Sequence, residues 1–317
     1  MFLIKKNKSS QNNSIFNNFR TDNSRKNNSR KIQAFSLIEL SIVILIIGIL
    51  VAGVTSSSRL IKRMKLITSQ NLTRNSPVSS IKDLSIWLES SLDESFDNAE
   101  ESEGVNITNW YDINPQTSFK FTVNQPTLAN KPVFAEAGIN GIPSVKFDGN
   151  SSDFMLLPNY NLSSNKLTFF IVTNRIVANE GTAILDSIDP SYVNDWADPG
   201  SIHLWEVSSQ FKAWKGGGSF PLSFFTHPGN GVPYISTTTF DGANNIVYLN
   251  GTPSPAVAYT GYHFLKNLYI ACRYLGAPGI FYSGYISEII IYSRVLNTEE
   301  RKAIESYLSK KYAIKVS

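Results

Sequence analysis

The sequence predicts a mainly β protein: one long N-terminal transmembrane α-helix, then an antiparallel β-sandwich of the jelly-roll type with a C-terminal helix. Three observations predict this fold. An apolar run of about twenty residues lies near the N-terminus. Short segments rich in β-branched and aromatic residues recur after Ile81 between turn-forming clusters, and one amphipathic helical pattern ends the chain.

The apolar run covers residues 35–54, FSLIELSIVILIIGILVAGV, and contains one charged residue, Glu39. Its length is what an α-helix needs to cross the hydrocarbon core of a bilayer. A carboxylate inside such a span costs about 2.5 to 3.5 kcal/mol on insertion scales. We therefore expect Glu39 to have a function and a partner.

The charge distribution orients this span. Residues 1–34 carry eight Lys or Arg and one Asp, a net charge of +7, which leaves about −3 for the rest of a chain whose net charge is +4. An excess of Lys and Arg beside a span marks its cytoplasmic side. We predict a single-pass protein of the cytoplasmic membrane with its C-terminal domain outside the cytoplasm, and no nucleic-acid binding.

The junction of leader and span resembles the N-terminal signal of type IV prepilins and type II secretion pseudopilins: Ala34, Phe35, Ser36, then Leu-Ile-Glu-Leu and an unbroken apolar run. The resemblance implies that a prepilin peptidase cleaves between Ala34 and Phe35 and methylates the new N-terminus. Ala34 stands where that family usually has Gly. In the family, the glutamate at the position of Glu39 pairs with the N-terminal amine of a neighbouring subunit. The carboxylate and the amine are each costly when buried alone, and the pairing neutralises both.

The partners that this resemblance implies are the peptidase, other pilin-like subunits and membrane lipid. Two alternatives remain open, an ordinary signal anchor and a secretory signal peptide cut near residues 52–56. The long leader and the helical pattern beyond the span argue against the second.

The domain organisation follows from these patterns. Leu60, Ile61, Met64 and Ile67 keep helical spacing past the span, and we expect them to pack on the chain's own domain or on neighbouring subunits. The predicted parts are a cleaved leader (1–34), a transmembrane and assembly helix (35–70), a linker (71–80) and the β-sandwich (81–317).

Predicted strands recur along the sandwich, and a helix follows them. Asn297 and Glu300 form a capping-box start, and Ala303, Ile304, Tyr307 and Leu308 are predicted on its buried face. The predicted strands cover residues 144–147, 167–173, 201–207, 221–226, 245–249, 268–273 and 285–292. The single cysteine, Cys272, falls in one of them, and we predict a buried thiol.

Several loose motifs in this region together resemble laminin G-like, or concanavalin A-like, domains. They include Trp110-Tyr111-Asp112, Phe240-Asp241-Gly242 and the segment 284–296 ahead of the last helix. The resemblance covers roughly residues 83–314. It implies a concanavalin A-like sandwich, a fold that hosts sugar binding, protein binding and glycoside hydrolysis, so the fold alone does not decide the function.

The candidate ligand-binding loop covers residues 186–200, DSIDPSYVNDWADPG. Carboxylates in this number can hold Ca²⁺, and an aromatic ring can stack on a sugar. The alternative is a solvated, turn-rich loop with one packed aromatic side chain. The candidate residues are Asp186, Asp189, Tyr192, Asp195, Trp196 and Asp198.

Enzymatic signatures are absent from the sequence. It has no Glu-x-Asp-x-Glu run of the kind that glucanases use and no Gly-x-Ser-x-Gly nucleophile motif, and His203, His227 and His263 have no zinc spacing. We therefore predict a non-enzymatic, pilin-like or pseudopilin subunit that displays a sandwich for a carbohydrate or protein ligand. The alternatives are a membrane-anchored lectin-like adhesin outside any pilus and, less favoured, a glycoside hydrolase.

Overall fold

The computed structural model describes residues 36–177, 181–207, 209–217 and 223–317. The leader and the expected cleavage site between Ala34 and Phe35 lie outside the described residues. The chain divides into two compact units, Met1–Val54 and Thr55–Ser317. Helix α1 (Leu37–Arg74) begins in the first unit and ends in the second.

In the first unit, α1 is apolar on all sides. The large apolar side chains from Leu37 to Val51 are 45–85% exposed. Among the described residues, α1 is the one helix long and apolar enough to cross a membrane. Glu39, the one acidic side chain of its first turn, accepts a hydrogen bond of 2.9 Å from the backbone N–H of Ser36.

In the second unit, α1 contacts the sandwich through its last turns. Gln70 Nε2 donates to the Ser91 carbonyl at 2.9 Å, and Thr73 Oγ1 lies 3.2 Å from the Tyr307 hydroxyl. Leu60, Ile61, Met64 and Ile67 are instead exposed. Of the two expected arrangements for this apolar face, packing on the chain's own domain is therefore not observed.

The segment expected to be a linker is structured. Helix α1 continues to Arg74, four residues past the predicted end at Gln70, because Leu72 packs on the apolar cluster beneath α2 (Thr298–Tyr312). A 3₁₀ turn, Pro77–Ser80, follows, and its Val78 is fully buried.

Twenty-one short strands build the described part of the sandwich, where β-branched and aromatic residues predominate. They are β1 (Leu84–Glu89), β2 (Asn109–Tyr111), β3 (Thr122–Asn124), β4 (Val133–Ile139), β5 (Ile142–Phe147), β6 (Met155–Leu157), β7 (Leu162–Ser164), β8 (Lys166–Arg175), β9 (Thr182–Ile188), β10 (Ile202–Val207), β11 (Gln210–Lys215), β12 (Ser223–Thr226), β13 (Tyr234–Asp241), β14 (Asn244–Leu249), β15 (Thr252–Pro253), β16 (Val257–Ala258), β17 (His263–Leu265), β18 (Asn267–Ile270), β19 (Arg273–Tyr274), β20 (Pro278–Gly279) and β21 (Gly284–Tyr292).

These strands form two large antiparallel sheets, as the sequence predicts. Within the described residues, the first sheet has the order β15-β14-β13-β8-β21-β5-β4, with β1 paired to β21 and β16 to β14. The second sheet has the order β12-β11-β10-β9-β18-β6-β3-β2. The first and last long strands of the sandwich, β1 and β21, are therefore neighbours.

The main core lies between the two sheets. Phe169 and Ile171 of β8 pack there with Leu204 and Phe211 of the second sheet. The alternate residues of β8 are buried on its other face, beneath α2. Burial on both faces explains why β8 is almost continuously apolar. Cys272 is buried as predicted, and its burial raises the pKa of the thiol.

Helix α2 begins with the predicted capping box. The Asn297 side chain accepts from the backbone N–H of Glu300, and the Glu300 carboxylate accepts from that of Asn297. The predicted burial of Ala303 is wrong, because this residue faces solvent. The buried face contains the predicted Ile304, Tyr307 and Leu308, together with three charged residues that bond the sheet or one another: Arg301, Glu305 and Lys311.

Candidate functional site

The candidate loop crosses the outer face of the second sheet, between β9 and β10. Asp186 is the fifth residue of β9 and lies opposite His203 of β10 and Tyr269 of β18. The loop returns to the sheet at Ser201. Asp186, Asp195 and Asp198 are buried, whereas the side chains of Tyr192 and Trp196 are 36% and 42% exposed.

Arg273 ties the loop to the sheet. Its Nε and Nη2 donate to the two carboxylate oxygens of Asp195 at 2.8 Å and 3.0 Å. Both side chains are almost fully buried. Burial raises the pKa of Asp195, and the positive charges of His203 and Arg273 oppose that rise. The two-pronged contact fixes the loop at the residue before Trp196.

His203 forms the second ion pair of the loop. Its Nδ1 donates to Asp186 Oδ1, and the other oxygen of Asp186 accepts from the backbone N–H of Tyr274 at 2.8 Å. On the far side of the ring, Nε2 lies 2.9 Å from Ser201 Oγ, which donates its own proton to the Asp195 carbonyl at 2.7 Å. The imidazole is therefore bonded on both sides, by Asp186 and by Ser201.

The two remaining aspartates are satisfied within the protein as well. Asp189 pairs with Lys266 at 2.5 Å; burial acts to raise the pKa of Asp189, but the bond to Lys266 brings it below its ordinary value. Asp198 accepts from the backbone N–H groups of Asp189 and Gly200 at 2.7 Å and 2.8 Å. Burial raises the pKa of Asp198.

These contacts test the expected Ca²⁺ site. Asp186, Asp195 and His203 each offer one ligand atom within 4.8 Å of the others. Ca²⁺ takes six to eight oxygen ligands. Both oxygens of Asp186 and of Asp195 are already used, by His203, Tyr274 and Arg273. The arrangement fits internal ion pairs and does not fit Ca²⁺.

Three tryptophans, Trp196, Trp205 and Trp214, form a tryptophan cluster beside these ion pairs. The centroids of the Trp205 and Trp214 rings are 5.5 Å apart, and the Trp196 ring meets both edge-on. The Arg273 guanidinium lies 5.1 Å from the Trp196 ring centroid and 4.9 Å from that of Trp205. Arg273 therefore contacts both Asp195 and Trp196, which places these two predicted residues in one site.

Two members of this cluster were not predicted. Trp205 and Trp214 are on the outer face because Leu204 and Ala213, their neighbours in β10 and β11, point into the main core. Successive side chains of a strand point to opposite faces of the sheet. The alternation of side chains in residues 202–207 and 210–215 is therefore the sequence signal that places both tryptophans on the same face. Tyr192 lies in the same loop, but the described contacts do not include it in the cluster.

Two further groups of charged residues are buried elsewhere. Glu206 contacts Arg175 at 3.0 Å and His227 at 3.2 Å, and it accepts from the Tyr234 hydroxyl at 2.5 Å. On the first sheet, Lys311 bonds Glu89 and Glu288. The described partners of these charged residues lie within the protein, so we interpret each group as a structural network.

Comparison with known proteins supports the predicted N-terminal motif. Residues 29–55 match the model of the prokaryotic N-terminal methylation motif. No curated protein matches the chain.

Among solved structures, the chain is similar to domain 4 of AbnA, a GH43 extracellular arabinanase from Geobacillus stearothermophilus in complex with arabinotriose. The identity is 16% and the TM-score 0.47, over 73% of this chain and 98% of that one. It is also similar to Trypanosoma rangeli sialidase in complex with sialic acid (16%, TM-score 0.46, 73% of this chain) and to the receptor-binding domain of botulinum neurotoxin type G (13%, TM-score 0.47, 72% of this chain). The matched region spans 33% of the sialidase chain and 52% of the neurotoxin chain.

Proposed function

We propose that this chain is a pilin-like or pseudopilin subunit of a type IV pilus or type II secretion system. Its N-terminal helix anchors it in the cytoplasmic membrane, and its laminin G-like sandwich binds a carbohydrate or protein ligand outside. The observation that carries this proposal is the methylation motif over residues 29–55, which includes the start of a helix that is apolar on all sides.

The exposed helix supports a membrane location. An uncovered apolar surface of this length is unfavourable in water and suits lipid or other apolar helices. Its backbone groups are satisfied within the helix, which is what the hydrocarbon core requires.

Glu39 supports assembly. Its described partner is a single backbone N–H group, from Ser36, so the carboxylate still has capacity to accept. After cleavage at Ala34, the terminal amine of Phe35 in a neighbouring subunit would supply the opposite charge. Leu60, Ile61, Met64 and Ile67, which the sandwich leaves uncovered, would then pack on neighbouring helices.

We propose a binding role for the sandwich and no catalysis. Glu89 and Glu288 are directly opposed on neighbouring strands, but both are fully buried beneath α2 and bonded to Lys311. A hydrolase needs a carboxylate pair that its substrate can reach.

The experiment that tests this proposal is the N-terminal mass of the protein purified from its native membrane. An N-methylated start at Phe35 is expected. A chain that begins at Met1, or one cut beyond Val54, would overturn the pilin-like assignment.

A second measurement tests assembly. We expect Glu39→Ala to abolish incorporation into the filament and Glu39→Gln to reduce it strongly, because neither can neutralise an amine. Ser41→Ala, at a polar residue two positions after Glu39 in α1, is the matched control. Full incorporation of both Glu39 variants would contradict the assembly role of Glu39, whereas absence of the wild-type protein from any filament would favour a membrane-anchored lectin-like adhesin.

A further inference from the structure

The tryptophan cluster contains two hydrogen-bond donors without acceptors. Trp205 and Trp214 are 8% and 4% exposed, and among the described residues neither Nε1 has a partner. A buried donor left unpaired destabilises the folded state, because it has lost its bond to water and gained none. Two such groups side by side therefore require an explanation, and a ligand with acceptor groups supplies one.

The cluster is partly covered by a side chain on a fixed backbone. Trp196 lies over Trp205 and Trp214 with 42% of its surface exposed. Its carbonyl accepts from the Gly217 backbone N–H at 3.0 Å, and the preceding residue, Asp195, is held by Arg273. Any shift of the Trp196 ring would therefore be a rotation of its side chain and not a movement of the loop.

The charges that touch the cluster are neutralised. Arg273, between the Trp196 and Trp205 rings, is paired with Asp195. His203, whose ring centroid is 5.4 Å from that of Trp214, is paired with Asp186. An anionic ligand gains little from cations whose charge is already matched. The neighbouring cation is Lys212, which lies opposite Trp205 across β10 and β11.

We propose that the tryptophan cluster is a binding site for an uncharged saccharide. One sugar ring stacks on Trp196, and the Nε1 groups of Trp205 and Trp214 donate to its hydroxyls once the Trp196 ring has shifted. A pyranose fits this combination because it presents a C–H face to an aromatic ring and acceptor oxygens at its rim. The inference rests on the ligand-binding part of the proposed function and narrows its ligand to carbohydrate.

The test uses the full-length protein in detergent micelles and a panel of neutral oligosaccharides on a glycan array, followed by calorimetric titration of the strongest binder. We expect binding to neutral saccharides. Trp205→Phe and Trp214→Phe keep a ring but remove the donor, and each should weaken binding on the order of five- to tenfold. Trp196→Ala should weaken it at least as much.

Phe119→Ala is the matched control, because Phe119 is another exposed aromatic residue and lies in the connection between β2 and β3. Its binding should equal that of the wild type. No binding to any neutral saccharide, or binding by both Phe variants as tight as that of the wild type, would overturn the proposal. A sialylated form of the strongest binder should bind no more tightly than the neutral one. If it bound more tightly and Lys212→Gln removed that gain, the assignment to uncharged ligands would be overturned.

Intrinsic fluorescence of the wild-type protein is a second test, and it does not depend on whether the variants fold. Three of the five tryptophans belong to the cluster, so a bound saccharide must change the emission of the wild-type protein. An unchanged spectrum at saturating ligand would also overturn the proposal. Filament incorporation and the mass at Phe35 are independent of these results, so a failed saccharide site and a failed pilin-like assignment can be told apart.

Discussion

Glu89 and Glu288 face each other across β1 and β21, and the ammonium group of Lys311 bonds both carboxylates at 2.6 Å and 2.9 Å. All three side chains are fully buried. Burial raises the pKa of Glu288, while Lys311 opposes the rise. Helix α2 is therefore attached to the first sheet by charge as well as by its apolar face.

Lys311→Met tests this attachment. The variant leaves two buried carboxylates without a cation, so we expect a loss of about 3–5 kcal/mol in the free energy of unfolding. Denaturant unfolding of the protein in detergent measures it. Lys310→Met, the exposed neighbour on α2, should change stability by less than about 0.5 kcal/mol. Equal effects of the two variants would contradict the prediction.

Glu101 makes stability depend on pH. Burial, followed by the charges of Asp93, Glu94 and Glu89, raises its pKa from 4.5 to about 7. Because the folded state holds this proton more tightly than the unfolded state, the contribution of Glu101 to stability falls as the pH rises from about 4.5 to about 7.

Glu101→Gln should remove this dependence. Its melting temperature should match that of the wild type near pH 4 and exceed it increasingly up to pH 7, with a constant difference above that. Glu299→Gln, at an exposed position of α2, is the control. A constant difference between Glu101→Gln and wild type across the whole range would refute the assignment.

Calcium should have no effect on the sandwich. A ligand that binds the folded state raises the melting temperature. Three of the predicted carboxylates are already bonded to His203, Lys266 and Arg273, and the fourth, Asp198, accepts from two backbone N–H groups. We expect the same melting temperature in millimolar CaCl₂ and in EDTA. A rise with calcium that Asp195→Asn abolishes would show instead that the ion displaces Arg273.

Arg273→Gln should release the candidate loop. It leaves Asp195 buried and unpaired, and we expect a loss of about 3–5 kcal/mol together with a change in tryptophan emission. The double variant Arg273→Gln, Asp195→Asn should recover part of that loss. Lys266→Gln, which breaks the more exposed pair with Asp189, should cost less than about 1 kcal/mol. A loss in Lys266→Gln as large as that in Arg273→Gln would contradict this ranking.

The sequence predicts the local features of this fold well. The apolar run, the Asn297 capping box and the β-branched run of β21 are each encoded within a few neighbouring residues, and the structure has all three. Ala303 was misplaced because helical periodicity gives the spacing of a buried face but not its centre. Buried ion pairs move that centre toward Arg301 and Glu305.

The candidate site is less readable from the sequence, because its contacts are distant along the chain. Asp195 and Arg273 are 78 residues apart, so neither the pairing nor the loss of calcium ligands is visible locally. The pairing of β9 with β10 also shifts register between Leu204 and Trp205. The alternation of side chains in one strand therefore does not stay in step with that in the other. Trp196 was identified because it stands in a loop among acidic residues, whereas Trp205 was placed in a predicted strand without a binding role and Trp214 lay outside every predicted strand.

The pairing of β1 with β21 has a consequence for the order of folding during synthesis. Strand β1 is made first and waits for a partner from the other end of the sandwich. Glu89, already in place, stays without its cation until Lys311 of the last helix has been made. Closing such a long loop is slow. The growing chain therefore cannot complete the sandwich before β21 and α2 have emerged from the ribosome.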